Sequence, residues 1–524
     1  MSLHRAIATV AGFTVISRIS GFARDIVMAG LVGTGYVADC FVVAFKLPNF
    51  FRRLFAEGAF NAAFVPLFTE KLTEDGDAGH ERALRFADEA GAVLLTVLLG
   101  FVALVQAAMP WLILLLAYGF KDDPAKFDLA VTLTRITFPY LIFISLVSLL
   151  GGVLNSLGRF AAAAITPILL NISLIACGLL LTAQLPTAGH ALAIGVTLGG
   201  LLQFTWLVLA LKREGVRMRI RRPRLTPEVK RLLILMAPVA LGAGAVQINL
   251  LIDVLLASFL PDGSLAFLFY ADRLNQLPVG IVGVAAGTAL LPTLSRQLSE
   301  GHEAQAMNSL NRAVETTLLL TIPAATALVL VPGEIIGVLF ERGAFTAEST
   351  AQTALALSAY ALGLPAYILL KVLTPAFFAR QDTSTPVRIG IIALVANTVL
   401  NIILMFPLKH VGLALATAIS AWLNVSLLMA ALFRRGYWQL DARLKSRLIK
   451  GIACSAAMGA ALWAGAGFLE SAFDGDRAER VGALVAIVIG GVVVYGVLTH
   501  VSGALRLSEA KGLLRRSGGQ EDKG

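Results

Sequence analysis

The sequence predicts an all-α polytopic membrane protein, and three observations carry that expectation. Hydrophobic residues make up 57% of the 524 and charged residues only 15%. Mean hydropathy is +0.80. Apolar runs of roughly 20 residues, the length a helix needs to cross a bilayer, recur along the whole chain. The runs are continuous instead of alternating with period two, which argues against a β-barrel, and no stretch long enough for a sizeable extramembrane domain lies between them.

Taken in order, the first apolar stretch, 6–32, follows His4 and Arg5 in the manner of a signal peptide. Arg18 interrupts it and the run continues to Val32, so a retained first helix is expected. The second, 36–63, contains Pro48, which should bend it. A polar, helix-like connection through Arg85 leads to the third, 87–112. The fourth and fifth, 130–155 and 161–183, flank Gly158-Arg159, and the sixth, 189–211, runs into Lys212-Arg213. A basic linker precedes the seventh, 231–260, which Pro261-Asp262-Gly263 separates from the eighth, 264–291. The ninth and tenth are 311–331 and 350–376. Pro407–His410 parts the eleventh, 387–406, from the twelfth, 411–433, and the last two are 448–469 and 480–501. About fourteen transmembrane helices are expected.

Loop charge sets an expected orientation. Residues 212–231 carry nine Lys/Arg, 434–450 carry six and 501–524 carry five, whereas all the loops of opposite parity carry six together. The positive-inside rule puts both termini and the basic loops in the cytoplasm, so much of the net charge of +10 is topological. These clusters flank membrane helices without an aromatic-interleaved module, which argues against nucleic acid as a partner and leaves membrane lipids. Cys40, Cys177 and Cys454 are scattered singly in apolar segments, a pattern of packing residues and not of disulfides or a thiolate metal site.

The chain resembles itself at long range. Ala63-Phe-Val-Pro-Leu-Phe68 recurs as Ala289-Leu-Leu-Pro-Thr-Leu294; Phe138-Pro-Tyr-Leu-Ile142 with Gly158-Arg159 and Thr166-Pro167 recurs as Leu364-Pro-Ala-Tyr-Ile368 with Ala379-Arg380 and Thr385-Pro386. An offset of six helices preserves orientation, so two parallel pseudo-symmetric six-helix lobes around a central cavity are expected, with two further C-terminal helices. The expected divisions are an N-terminal lobe 1–212, a basic cytoplasmic linker 213–230, a C-terminal lobe 231–433, helices 13–14 within 434–501 and a basic cytoplasmic tail 502–524.

Arg18, Arg24, Arg52 and Arg273 sit inside apolar stretches. A guanidinium stays charged and costs several kcal/mol near a bilayer centre, so each is expected to face a watery cavity on the path of an anion. At 100° per residue Arg18 and Arg24 diverge by about 120° while Arg18 and Asp25 share a face; a kink at Ser20-Gly21 would bring both arginines to one cavity. Arg53 and Glu57 are four apart and suited to pair, and Lys46 and Arg52 lie toward the cytoplasmic end of the second helix. Asp272 adjoins Arg273 and would set its geometry or pair with another residue. A second constellation, Asp253, Asn397, Asn401 and Thr417, offers one carboxylate with neutral oxygens. It suits a dehydrated monovalent cation such as Na+, or a proton on Asp253; its blander use is helix–helix hydrogen bonding. Enzyme chemistry is poorly represented: the six histidines show no HExxH or other paired metal spacing, and there is no glycine-rich phosphate loop. No catalytic residue and no organic cofactor is expected; transport is the indicated class.

Ser17-Arg-x-x-Gly-Phe-Ala-Arg-Asp25, Asp39 with Ala44-Phe-Lys-Leu-Pro-Asn49, Arg52-Arg-x-Phe-Ala-Glu-Gly-Ala-Phe60, Phe64-Val-Pro66 and Tyr270-Ala-Asp-Arg273 strongly resemble the MurJ (MviN) family of the multidrug/oligosaccharidyl-lipid/polysaccharide exporter superfamily. The resemblance runs from the first residues through the fourteenth helix. It implies a bacterial inner-membrane flippase that carries lipid II, the undecaprenyl-diphosphate-linked disaccharide-pentapeptide, outward by alternating access for peptidoglycan synthesis. It also implies a groove for the lipid tail along helices 13 and 14, and substrate-binding roles for Arg18, Arg24, Asp39, Arg52 and Arg273, supported by Asp25, Lys46, Arg53, Glu57 and Asp272. Membrane potential or a coupling Na+ or H+ would drive the cycle, and cell-wall synthesis proteins are the protein partners it suggests. The alternatives are a flippase for another polyprenyl-linked glycan and a multidrug exporter of the same superfamily; the latter should carry carboxylates where this chain carries arginines.

Overall fold

The computed structural model describes residues 3–53, 60–73, 76–219 and 221–505, with the backbone alone for 3–8, 77, 240–246, 284, 285 and 288. Glu57 and the tail beyond Leu505 lie outside the described residues. The described residues are predominantly helical, and among them the only β pairing is an isolated bridge between Arg342 and Phe345. It divides into two compact units, Met1–Ala266 with Arg342–Thr346, and Phe267–Glu341 with Ala347–Gly524.

The first unit contains α1 (Leu3–Val32), α2 (Tyr36–Phe51), α3 (Asn61–Thr73), α4 (Gly76–Ala107), α5 (Met109–Leu116), α6 (Pro124–Thr137), α7 (Tyr140–Ser156), α8 (Phe160–Leu181), α9 (Ala188–Arg213) and α10 (Pro227–Ala257), and the first residues of α11 (Ser264–Pro278). The remainder of α11 opens the second unit, followed by α12 (Val284–Ser299), α13 (Glu303–Leu330), α14 (Pro332–Phe340), α15 (Ala347–Phe378), α16 (Ser384–Arg434), α17 (Ala442–Phe468), α18 (Glu470–Phe473) and α19 (Arg477–Ser502). Among the described residues, nine helical stretches are long and apolar enough to cross a membrane.

All fourteen expected apolar stretches are helical in their described parts, but several are broken or extended. The stretch 130–155 becomes α6 and α7, parted at Phe138-Pro139; the eighth becomes α11 and α12, parted after Pro278, whose ring offers no N–H to continue the ladder. The polar connection before the third stretch is the start of α4, where Arg85 and Glu89 pair one turn apart. Lys409 has φ 50° and ψ −133°, so α16 is two helices meeting at that residue, as Pro407–His410 led one to expect.

In the first unit α8 packs on α1 and α9, α2 on α6, α7 on α4 and α9, and α10 on α3, α4 and α5. Stacked rings of Phe60, Phe64, Phe68 and Phe86 lie at its centre. In the second unit α15 packs on α13 and α16, and α17 on α13 and α19. Its largest apolar cluster includes Leu310, Phe377, Leu428 and the buried Trp438, whose indole N–H donates to Asn311 Oδ1 at 2.8 Å. Buried Glu315 of α13 is ringed by Arg312, Arg443 and Arg447, which supply the pairing a buried carboxylate requires.

Arg159 and Arg380, aligned in the sequence, each pair with a glutamate of their own unit. Arg159 pairs with Glu214 at 2.8 Å in one and Arg380 with Glu303 at 2.8 Å in the other. The turns beside these arginines are closed by left-handed residues, Gly158 (φ 74°) and Gln381 (φ 59°). Next to Gln381, the hydroxyl and amide of Thr385 and the guanidinium of Arg435 hold the Asp382 carboxyl well below its ordinary 3.8, so this turn tightens above that pH and loosens as acid protonates it.

The turn Arg342–Thr346 closes on the C-terminal end of α1. Ala344 N–H donates to Gly30 O at 2.9 Å, and a Cβ on Gly33 (φ 64°) would stand 2.2 Å from Ala344 O. Gly33→Ala should therefore cost about 2–4 kcal/mol, the sum of a backbone clash and a left-handed conformation. Gly35 has open space around it, and Gly35→Ala should stay within about 0.5 kcal/mol. Thermal unfolding of the two purified variants checks the contrast; equal midpoints would refute this packing.

Candidate substrate-binding site

The residues singled out by cost fall into distinct settings. Arg18 lies on an exposed part of α1, one turn and a half before the buried pair Arg24 and Asp25. Arg24 Nε and Nη2 both donate to Asp25 Oδ1, at 3.0 and 2.6 Å, and Nη1 donates to Asn171 Oδ1 of α8 at 3.0 Å. The guanidinium also stands over the Phe45 ring of α2, 5.6 Å from its centroid. Helical geometry had placed Asp25 on the face of Arg18; in the structure the long stem of Arg24 folds back and takes its own neighbour instead.

Asn171 is the element that sequence reasoning missed. It is buried, and its Nδ2 donates to Ser20 Oγ at 2.9 Å and Ser17 O at 3.3 Å while its Oδ1 accepts from Arg24. Asn171 lies against Gly21, where a Cβ would meet its Nδ2 at 3.5 Å, an ordinary contact. The Ser20-Gly21 step thus seats the α8 asparagine that orients Arg24. Three of the guanidinium's five N–H groups are used by these bonds, and the set of Arg24, Asp25 and Asn171 is a near-neutral, rigid mount for the remaining two. An arginine fork held in this way matches the paired oxygens of a phosphate.

Asp39 is placed differently from an exposed ligand. It is only 1% exposed, Oδ1 accepts from Ala266 N at 3.0 Å, and Oδ2 accepts from Gly263 N at 2.8 Å and Lys126 Nζ at 3.2 Å. The carboxylate therefore caps the first turn of α11, where N–H groups lack helical partners. Lys126 also donates to Asp262 Oδ1 at 2.6 Å and sits over the Phe120 ring, while its backbone oxygen accepts from Cys40 Sγ. Lys126 had counted in the sequence merely as a loop charge.

Toward the end of α2, Lys46 is half-buried and Arg52 Nε donates to Asn49 Oδ1 at 3.0 Å, which orients a half-buried guanidinium. Arg53 is exposed. In the second unit Arg273 is half-buried with its guanidinium 4.6 Å from the centroid of Phe269, one turn earlier, and Asp272 accepts from Gln276. Of the polar set considered for a cation, Asp253 belongs to the first unit and is half-buried, whereas Asn397, Asn401 and Thr417 belong to the second. Asn397 accepts from Ser420 at 3.3 Å and the Thr417 hydroxyl donates to Leu413 O of its own helix.

Residues 28–475 match the family model described as lipid II flippase MurJ. A probable lipid II flippase MurJ of Rhizobium meliloti (strain 1021) is 43% identical over 523 residues, 99% of this chain and 96% of the relative. The corresponding protein of Rhizobium tropici is 46% identical, covering 88% of this chain and 86% of its own length. Among solved structures, a lipid II flippase MurJ in an inward closed conformation aligns with a TM-score of 0.77 at 28% identity, over 94% of this chain and 98% of that one. An inward-facing multidrug resistance MATE family transporter of the MOP superfamily aligns with a TM-score of 0.64 at 15% identity, over 84% and 99%, a likeness of fold alone.

Proposed function

The chain belongs to the lipid II flippase MurJ family, and from that membership we propose that it moves lipid II from the cytoplasmic to the periplasmic leaflet of the bacterial inner membrane. The observation that carries this reading is relatedness over essentially the full length of both chains. The protein is a multi-pass membrane transporter and not a catalyst.

In this reading Arg18, Arg24, Arg52 and Arg273 bind the diphosphate. About two negative charges must cross a layer roughly 30 Å thick, and charge-assisted bonds to arginine replace the hydration lost on the way. The mounted guanidinium of Arg24 supports this best, because its geometry is fixed before any ligand arrives and little freedom is lost on binding. Asp39 acts by capping α11 and not by touching the cargo. The prenyl tail stays in lipid along a groove of the two last long helices, within 434–501, while the lobes 1–212 and 231–433 rock to expose the headgroup alternately. Both termini, the linker 213–230 and the tail 502–524 face the cytoplasm. Membrane potential, or a coupling Na+ or H+, supplies the driving force.

The test is the accessibility of lipid II on the outer leaflet after depletion of this protein. Arrival should fall to a small fraction of its normal rate within a generation or two. Arrival at the normal rate would overturn the proposal, and loss of a different polyprenyl-linked glycan instead would reassign the cargo.

A further inference from the structure

In the connection between α9 and α10, the described residues on either side of position 220 are anchored by carboxylates while most of their own guanidiniums are left exposed. Buried Asp88 of α4 accepts from Arg219 N at 2.8 Å and from Arg221 Nε at 3.2 Å. Its neighbour Glu89 accepts from Thr226 at 3.1 Å. At the connection's start Glu214 pairs with Arg159 at 2.8 Å and Val216 is buried. Between these anchors Arg217, Arg219, Arg222 and Arg224 are exposed, and beside them Leu225 is 71% exposed. Among the described residues none of those four guanidiniums is paired with a carboxylate, while Asp88, Glu89 and Glu214 pair with Arg221, Arg85 and Arg159.

Topological bias would be satisfied by a disordered basic loop; it does not require a buried carboxylate to pin the segment. The connection joins the ends of two apolar helices, Arg213 and Pro227, so it is confined near the water boundary of the membrane. Its described residues, 214–219 and 221–226, are not helical, and a chain from Arg217 to Arg224 reaches at most about 25 Å. A single diphosphate is too compact to meet a row of that length. A row of phosphate diesters is not, and an exposed leucine beside the row suits the interfacial zone of a leaflet.

We propose that residues 216–219 and 221–226 form a binding strip for the headgroups of anionic phospholipids in the leaflet on that side of the membrane. Arg217, Arg219, Arg222 and Arg224 supply the charge, and Asp88 holds the strip in place. This assignment is independent of what the protein transports.

Native mass spectrometry of the full chain in detergent, titrated separately with phosphatidylglycerol, phosphatidylcholine and farnesyl diphosphate, tests it. Phosphatidylglycerol should bind at least about ten-fold tighter than phosphatidylcholine, with the difference shrinking as salt is raised. The variant Arg217→Gln/Arg219→Gln/Arg222→Gln/Arg224→Gln, which leaves Asp88 and Arg221 in place, should lose about ten-fold or more of that affinity. Lysine at the same four positions should restore it to within about three-fold, since headgroup attraction needs charge more than fork geometry. Farnesyl diphosphate binding should be unchanged. If the four-fold glutamine variant does not purify, Arg222→Gln/Arg224→Gln alone should lose about three-fold. Wild-type phosphatidylglycerol affinity in a purified glutamine variant would overturn the proposal. A loss confined to farnesyl diphosphate, or failure of the lysine variant to rescue, would overturn it equally.

Discussion

Arg24→Ala should abolish growth complementation and cut lipid II flipping in proteoliposomes by roughly 30-fold to several-thousand-fold, the range for removing a desolvated charge-assisted contact worth about 2–5 kcal/mol. The structure adds a complication, because the same substitution strands buried Asp25 without the guanidinium that neutralises it, at a cost of about 3–5 kcal/mol in stability. Loss of function in the single variant therefore has two sources. The double variant Arg24→Met/Asp25→Leu separates them: replacing a buried ion pair by apolar side chains is often neutral for stability, so the protein should accumulate normally and still fail to flip. Transport near the normal rate in that variant would show that the pair serves only the fold. Asn171→Leu should keep the charge of Arg24 but release its orientation, and a loss of about ten-fold is expected, smaller than removal of the charge.

Lys126→Met should lower stability by about 3–5 kcal/mol, because Asp39, almost wholly buried, would keep only its two backbone donors. Asp39→Leu should cost less, about 2–3 kcal/mol, since Lys126 retains the exposed carboxylate of Asp262 and α11 loses one cap. The double variant should cost about 1.5–3 kcal/mol less than the sum of the two. Thermal unfolding in detergent measures all three; strictly additive losses would disprove the coupling and with it the role assigned to Asp39.

These two sites show what the sequence could and could not express. The apolar runs, the break at Pro407–His410 and the arginines inside helices all leave local marks, whereas the partings at Pro139 and Pro278 fell inside stretches read as continuous. Partners leave no such mark. Arg24 meets Asn171 across 147 positions, and nothing in an apolar segment distinguishes an asparagine that orients a guanidinium from one that merely joins helices. Asp39 was a candidate ligand only through the family resemblance, and the sequence around it does not show what it touches. The cost of burying it is met by Lys126 and by the backbone amides of Gly263 and Ala266, partners that no side chain announces. That Asp25 pairs with Arg24 although it shares a face with Arg18 has a different reason: helical angles locate Cβ atoms, whereas a flexible four-bond stem decides where a guanidinium ends.

The short turn that seals α1 is synthesised long after the helix it touches. Phe267–Glu341 must leave the ribosome first, which at about 5–20 residues per second takes roughly 4–15 s. During that interval Gly30 and Gly33 have no turn against them, and the N-terminal half of the nascent chain waits for a piece of backbone that has not yet been polymerised. Maturation of the two halves is consequently interlocked in time, and a chain truncated before residue 342 would lack part of its own beginning.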